Sequence, residues 1–222
     1  MALKPEVAEM LRVIERECEY TRAVTGIKAF QARVMAAMAE VPRREFVPES
    51  MKPFAYDNCP LPIGAGQTIS QPYIVALMTD LLRPGKDDVI LEVGAGSGYQ
   101  AAILAKLVCR VYTVELIADL AVQARLRLQK HGCDNVEVLQ GDGCQGLAAH
   151  APYNGIIVTA AAPFIPPALA EQLKAGGRLV IPVGVPHSLQ YLLLLEKHQD
   201  GRLTSRKILA VSFVPLVCGE SA

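Results

Sequence analysis

The chain has 222 residues, 51% of them hydrophobic, which is enough for one well-buried core and short for two full domains. Lysine plus arginine balances aspartate plus glutamate at 22 each, so no global field recommends nucleic acid or an anionic membrane as a partner. No apolar run reaches the roughly 18 residues of a membrane span, and Met1-Ala-Leu-Lys-Pro-Glu6 lacks the apolar core of a secretory signal. A cytoplasmic location is therefore expected.

Six cysteines (Cys18, Cys59, Cys109, Cys133, Cys144, Cys218) are scattered without a CxxC pair, and free thiols in a reducing compartment are expected. His131, His150, His187 and His198 show no metal-ligand spacing. No metal is expected.

In chain order, Val7, Met10, Leu11 and Ile14 recur at helical spacing and predict an amphipathic helix over 4–19. Gly26 separates it from a second helix at 31–39, which stops before Val41-Pro42. Residues 1–55 are thus expected to form a helical N-terminal extension, and 56–222 the main domain of one globular unit. From Tyr56 to Gln71 the chain carries Pro60, Pro62, Gly64 and Gly66 and reads as a functional loop with little regular structure. Ser70 is placed to cap a helix that runs on to Leu82.

Beyond Arg83-Pro84-Gly85 strands and helices alternate. Strands are predicted at 89–93, 110–115, 136–140, 155–158 and 178–183, with helices at 99–108, 117–131 and near 166–173. That pattern means βαβ units and a parallel sheet. Strands 190–196 and 208–215 flank Gln199-Asp200-Gly201 as an antiparallel hairpin. The fold class expected is α/β, a doubly wound, mostly parallel seven-stranded sheet.

The stretch Val89-Ile-Leu-Glu-Val-Gly-Ala-Gly-Ser-Gly98 joins a short strand to a helix through a glycine turn. Backbone N–H groups there, with the helix dipole behind them, suit an anionic part of a cofactor. The spacing Gly94-x-Gly96-x-Gly98, with Ala95 and Ser97 between and Glu92 ahead, differs from the dinucleotide GxGxxG and favours S-adenosyl-L-methionine over NAD. Glu115 ends the next strand about twenty positions on, where a carboxylate can accept from ribose hydroxyls. Asp142 in Gly141-Asp142-Gly143 follows the third strand, placed to accept from an adenine amino group while Gly143 lets the ring approach.

These motifs, with Val41-Pro42-Arg43, Phe46-Val47-Pro48, Leu61 to Pro72 (LPIGAGQTISQP), Ile157 to Pro163, Gly176 to Gly184 and Phe213-Val214-Pro215-Leu216, make the chain resemble protein-L-isoaspartate O-methyltransferases. The resemblance runs from about Gly26 to Leu216. It implies a Rossmann-like class I methyltransferase fold and methyl transfer from S-adenosyl-L-methionine to isoaspartyl carboxylates in damaged proteins or peptides. It further implies Ser70 as the active-site hydroxyl, Thr68 and Ile69 beside the methyl donor, and Val214 as a position holding the acceptor backbone. Three positions depart from the family pattern: Ser212 where arginine is common, Asn154 for aspartate and Phe164 for an acid. A small-molecule O-methyltransferase, and a catalytically weak S-adenosyl-L-methionine-binding protein, are the competing readings.

The chemistry fits the absence of a histidine cluster. An isoaspartyl α-carboxylate, with a pKa of roughly 3 to 4, is ionised at neutral pH and needs no strong general base.

Overall fold

The computed structural model describes residues 3–185 and 188–219. His187, counted among the histidines above, and the first two residues of the chain lie outside that range.

Helix α1 spans Pro5–Thr25, longer than predicted. The Thr21 and Thr25 hydroxyls bond back to the carbonyls of Glu17 and Thr21 at 2.8 and 3.1 Å, and the helix stops where Gly26 takes φ 74°. Val7, Met10, Ile14 and Cys18 form its buried stripe. Helix α2, Ala32–Glu40, buries Val34, Ala37 and Met38. Arg43 follows, fully buried. Its Nε donates to the Ala55 carbonyl at 2.8 Å, and its guanidinium lies 5.0 Å from the Tyr99 ring centroid, which ties the N-terminal segment to the main core.

The predicted irregular loop contains a hairpin instead: β1, Leu61–Gly64, pairs antiparallel with β2, Gln67–Ile69. Ala65 and Gly66 both take positive φ (50° and 70°), which matches the right-handed twist of a two-residue hairpin turn. The prolines hid this hairpin, yet Pro62 is tolerated because a two-stranded ribbon consists only of edges. Helix α3, Pro72–Leu82, is capped by Gln71 without a side-chain bond. Ser70 is not the cap.

The main sheet has seven strands: β3 Val89–Val93, β4 Arg110–Glu115, β5 Val136–Gln140, β6 Tyr153–Val158, β7 Leu173–Val183, β8 Gln190–Lys197 and β9 Leu203–Val211. Their order is β5-β4-β3-β6-β7-β8-β9. The first five run parallel, and β8 is antiparallel to both of its neighbours. Helices α4 (Tyr99–Ala105), α5 (Ala118–Lys130) and α6 (Pro167–Glu171) make the crossovers. The order reverses between β3 and β6, so the carboxyl ends of those strands open a crevice at the switch point. The last strand ends at Val211 rather than near Pro215. Gln190 stops it: its carboxamide accepts from Phe213 N–H at 2.6 Å and donates to the Phe213 carbonyl at 3.1 Å.

The expectation of free thiols throughout is also corrected. Cys144 and Cys218 form a disulfide, with Cα atoms 5.5 Å apart; Cys18, Cys59, Cys109 and Cys133 are free. A separation of 74 residues conceals this pair from any reading of local spacing.

Candidate active site

The switch-point crevice is lined by the predicted Thr68, Ile69, Ser70, Glu92, Gly94, Ala95, Gly96, Ser97, Glu115, Gly143 and Val214. Two predicted residues are not part of its lining. Gly98, at φ 88°, caps α4, and a Cβ there would press on Leu128 of α5 at 3.3 Å. Asp142 turns its carboxylate to the following turn and the C-terminal segment, accepting from Cys144 N–H at 2.8 Å and Gly219 N–H at 3.0 Å.

The glycine turn leaves only some of its N–H groups free for an anion. The N–H groups of Gly94, Gly96 and Gly98 are engaged internally, with the Val114 carbonyl, Glu115 Oε2 and the Ala95 carbonyl, each at 2.8 Å. Only the alternate N–H groups, Ala95 and Ser97, carry no bond among the described residues. Glycine is required here for shape: Gly94 sits at φ 93°, and a Cβ would approach Thr159 Oγ1 to 2.4 Å. Gly143 is equally constrained, because a Cβ would reach Val93 Cγ1 at 2.3 Å.

Glu92 is the electrostatic anomaly. It is fully buried in β3, and neither carboxylate oxygen has a hydrogen-bond partner among the described residues. Burial pushes its pKa up to about 8. An unpaired buried carboxyl on a ligand crevice is what a cationic ligand group would satisfy. Glu115, by contrast, is already bonded: Oε2 accepts from Gly96 N–H and Oε1 from Ile117 N–H at 3.0 Å, leaving further lone pairs for ribose hydroxyls.

Several lining residues escaped the reading of motif roles. Thr159, just after β6, ties that strand to the glycine turn: its N–H donates to the Val93 carbonyl at 2.9 Å and its Oγ1 to the Gly94 carbonyl at 2.6 Å. Leu116, Ile117, Leu216 and Val217 add apolar walls. The strap from Val214 to Gly219 is held over the crevice by Ala161, which exchanges backbone bonds of 2.8 Å with Val214 and Leu216. Val214's carbonyl is used in that exchange, so its N–H is the group left for an acceptor backbone.

A second cavity of about 520 Å³ adjoins the crevice. It is lined by Glu17 and Thr21 of α1, Pro60, Thr68, Ser70, Gln71, Tyr73 and Ile74 around the hairpin and α3, and residues 209–213 of β9 and its extension. Among the described residues, Thr68 and Ser70 alone line both spaces.

The described histidines are structural. His131 stacks on Phe46 and His150 on Tyr112, and His198 hydrogen-bonds Thr204 at 2.8 Å. The one grouping of potential metal ligands among the described residues, Asp142 with Cys144 and Cys218, has both sulfurs joined in the disulfide.

A sequence model of the protein-L-isoaspartate(D-aspartate) O-methyltransferases matches residues 5–221. The chain belongs to that family. A protein-L-isoaspartate O-methyltransferase 2 of Syntrophobacter fumaroxidans is 56% identical over 96% of this chain and 86% of its own. One from a Polaromonas species is 58% identical over 93% and 98%. Among solved structures, a protein-L-isoaspartate O-methyltransferase superposes with a TM-score of 0.79 at 26% identity, covering 97% of this chain and 66% of that one. A Plasmodium falciparum chain described as a beta-aspartate methyltransferase, in complex with S-adenosyl-L-homocysteine, shares the fold with a TM-score of 0.72 at 23% identity over 93% and 97%. The sheet of this family member is therefore the class I methyltransferase sheet, with the antiparallel β8–β9 pair at its edge. Among its described residues no helix is long and apolar enough to cross a membrane.

Proposed function

We propose that the protein transfers a methyl group from S-adenosyl-L-methionine to the free α-carboxylate of L-isoaspartyl residues in damaged proteins and peptides, the step that initiates their repair in the cytoplasm. The observation that carries this reading is the shared wall: a donor crevice and an acceptor cavity that meet at Thr68 and Ser70. Residues 56–222 supply the donor side, and the 1–55 extension contributes to the acceptor side through α1.

The chain's own groups divide the work. Glu92 would take the ammonium of the cofactor, and the free N–H groups of Ala95 and Ser97 its carboxylate. Glu115 would receive the ribose hydroxyls, and Gly143 would leave room for the adenine ring. Asp142, beside that space, would accept from the adenine amino group through lone pairs not taken by the Cys144 and Gly219 N–H groups. When bound, S-adenosyl-L-methionine supplies an electrophilic methyl carbon on a sulfonium centre.

On the acceptor side no proton must be removed, because the isoaspartyl carboxylate is ionised at neutral pH. Ser70 lies half-buried at the junction, not engaged in capping α3. Its hydroxyl donates to one carboxylate oxygen and aims the other across the junction, while Thr68 and Ile69 fix the wall beside it and Val214 N–H holds the acceptor backbone. Alignment and exclusion of water, rather than base catalysis, then lower the barrier.

The deciding experiment follows radiolabelled methyl groups from the donor to an isoaspartyl peptide and to its normal aspartyl counterpart. Labelling of the first alone is expected. Equal labelling of both, or none of either, overturns the proposal.

A further inference from the structure

The acceptor cavity is asymmetric in charge. Of the described residues that line it, Glu17 alone carries a formal charge at neutral pH; the rest are apolar or neutral polar, including Ser212 on the facing β9 extension. Helix α1 fixes the position of Glu17. Its backbone carbonyl accepts from the Thr21 hydroxyl at 2.8 Å, and Thr21 Oγ1 is in turn 2.6 Å from the Tyr73 hydroxyl of α3. That chain of bonds ties the Glu17 turn to the helix that begins just after Ser70. The Glu17 side chain is half-buried and takes part in none of the ion pairs among the described residues. A carboxylate in a partly desolvated cleft without a cation of its own acts on whatever charge the occupant brings.

We infer that Glu17 is a specificity-determining residue: it selects acceptor peptides carrying a lysine or arginine side chain beside the isoaspartyl residue and rejects those carrying an aspartate or glutamate there. The inference rests on the reading that this cavity holds the acceptor. An acidic neighbour would face a like charge, since the described walls offer it no counter-ion. A basic neighbour gains a carboxylate that is already half-buried. For a pair still in partial contact with solvent the effect on affinity is roughly fivefold in each direction.

The test uses three isoaspartyl peptides that differ only in the flanking residue: lysine, glutamine or glutamate. Binding of each, fluorescently labelled, is measured by anisotropy on the full chain without added donor, and KM is measured with donor present. The parent protein is expected to rank them lysine, glutamine, glutamate in both measurements, with the spread shrinking at 0.5 M salt. In Glu17→Gln the three are expected to converge, and in Glu17→Lys the order is expected to invert. The ratio between peptides is the readout, so a general loss of affinity or stability in either variant does not imitate the effect. A parent protein indifferent to flanking charge, or a ranking that persists in Glu17→Gln, overturns the inference. If the glutamine peptide is methylated and charge has no effect, only the role of Glu17 falls. If the glutamine peptide is neither bound nor methylated, the assignment of the cavity falls with it.

Discussion

Glu115 Oε2 accepts a hydrogen bond from the Gly96 N–H at 2.8 Å while its other oxygen accepts from Ile117 N–H. One carboxylate at the end of β4 thus fixes both the glycine turn and the approach to α5 before any ligand arrives. Glutamine is a poor substitute, because its NH₂ would face one of two N–H donors. Glu115→Gln is expected to lose about 2–4 kcal/mol of stability from two charge-assisted bonds, lowering the melting temperature by several degrees. Thermal unfolding without ligand checks this; an unchanged midpoint would show that the carboxylate serves the ligand alone.

Glu92 makes stability and binding depend on pH in opposite senses. Its carboxyl is raised by burial from the ordinary 4.5 to about 8, so the native state keeps a proton that the unfolded chain releases. The stability from this group is fully present below the ordinary carboxylate pKa and declines as pH rises from there through 8. Glu92→Gln should therefore match the parent near pH 4 and exceed it in stability near pH 8.5. A cationic ligand favours the ionised form, so donor binding near pH 7 should release a proton. Calorimetry in buffers of different ionisation enthalpy measures that release, which Glu92→Gln should abolish.

Ser70→Ala removes a hydrogen bond to a charged acceptor without disturbing the start of α3, since Gln71 is the cap. Turnover of isoaspartyl peptide is expected to fall roughly 10- to 100-fold. Donor affinity, measured separately by calorimetry, should stay within about twofold. Unchanged turnover would move the hydroxyl out of the reaction.

The Cys144–Cys218 bond fastens the strap that lines the donor crevice, beside the bond from Gly219 N–H to Asp142. Cys218→Ser should lower stability by about 2–4 kcal/mol and speed both association and dissociation of donor, read by stopped-flow fluorescence. Reductant should reproduce the change in the parent protein and leave the variant unaffected. Identical rates in parent and variant would show that the strap is held by its backbone bonds to Ala161.

The alternation of short apolar strands with helical stripes made the sheet and its switch point legible, and the glycine turn with Glu92 and Glu115 marked the donor crevice. Local patterns did not show what depends on partners distant in sequence. The β1–β2 hairpin was masked by Pro60 and Pro62, whose restrictions matter little on an edge ribbon. Gly98 and Asp142 also make contacts that no motif spacing encodes, the first against Leu128 and the second with Cys144 and Gly219. The orphaned state of Glu92 is a property of what surrounds β3, and no spacing encodes it. Glu17 sits in a helix that reads as ordinary amphipathic surface until β9 is folded against it.

The acceptor cavity takes one wall from α1 and another from residues 209–213, segments from opposite ends of the sequence. A nascent chain can complete the donor crevice's inner strands while the opposite wall of the acceptor cavity is still unmade. The proposed acceptor cavity and the outer wall of the donor crevice at Val214–Val217 therefore both depend on the C-terminal segment being in place, and a copy truncated before residue 209 would hold no complete place for its substrate.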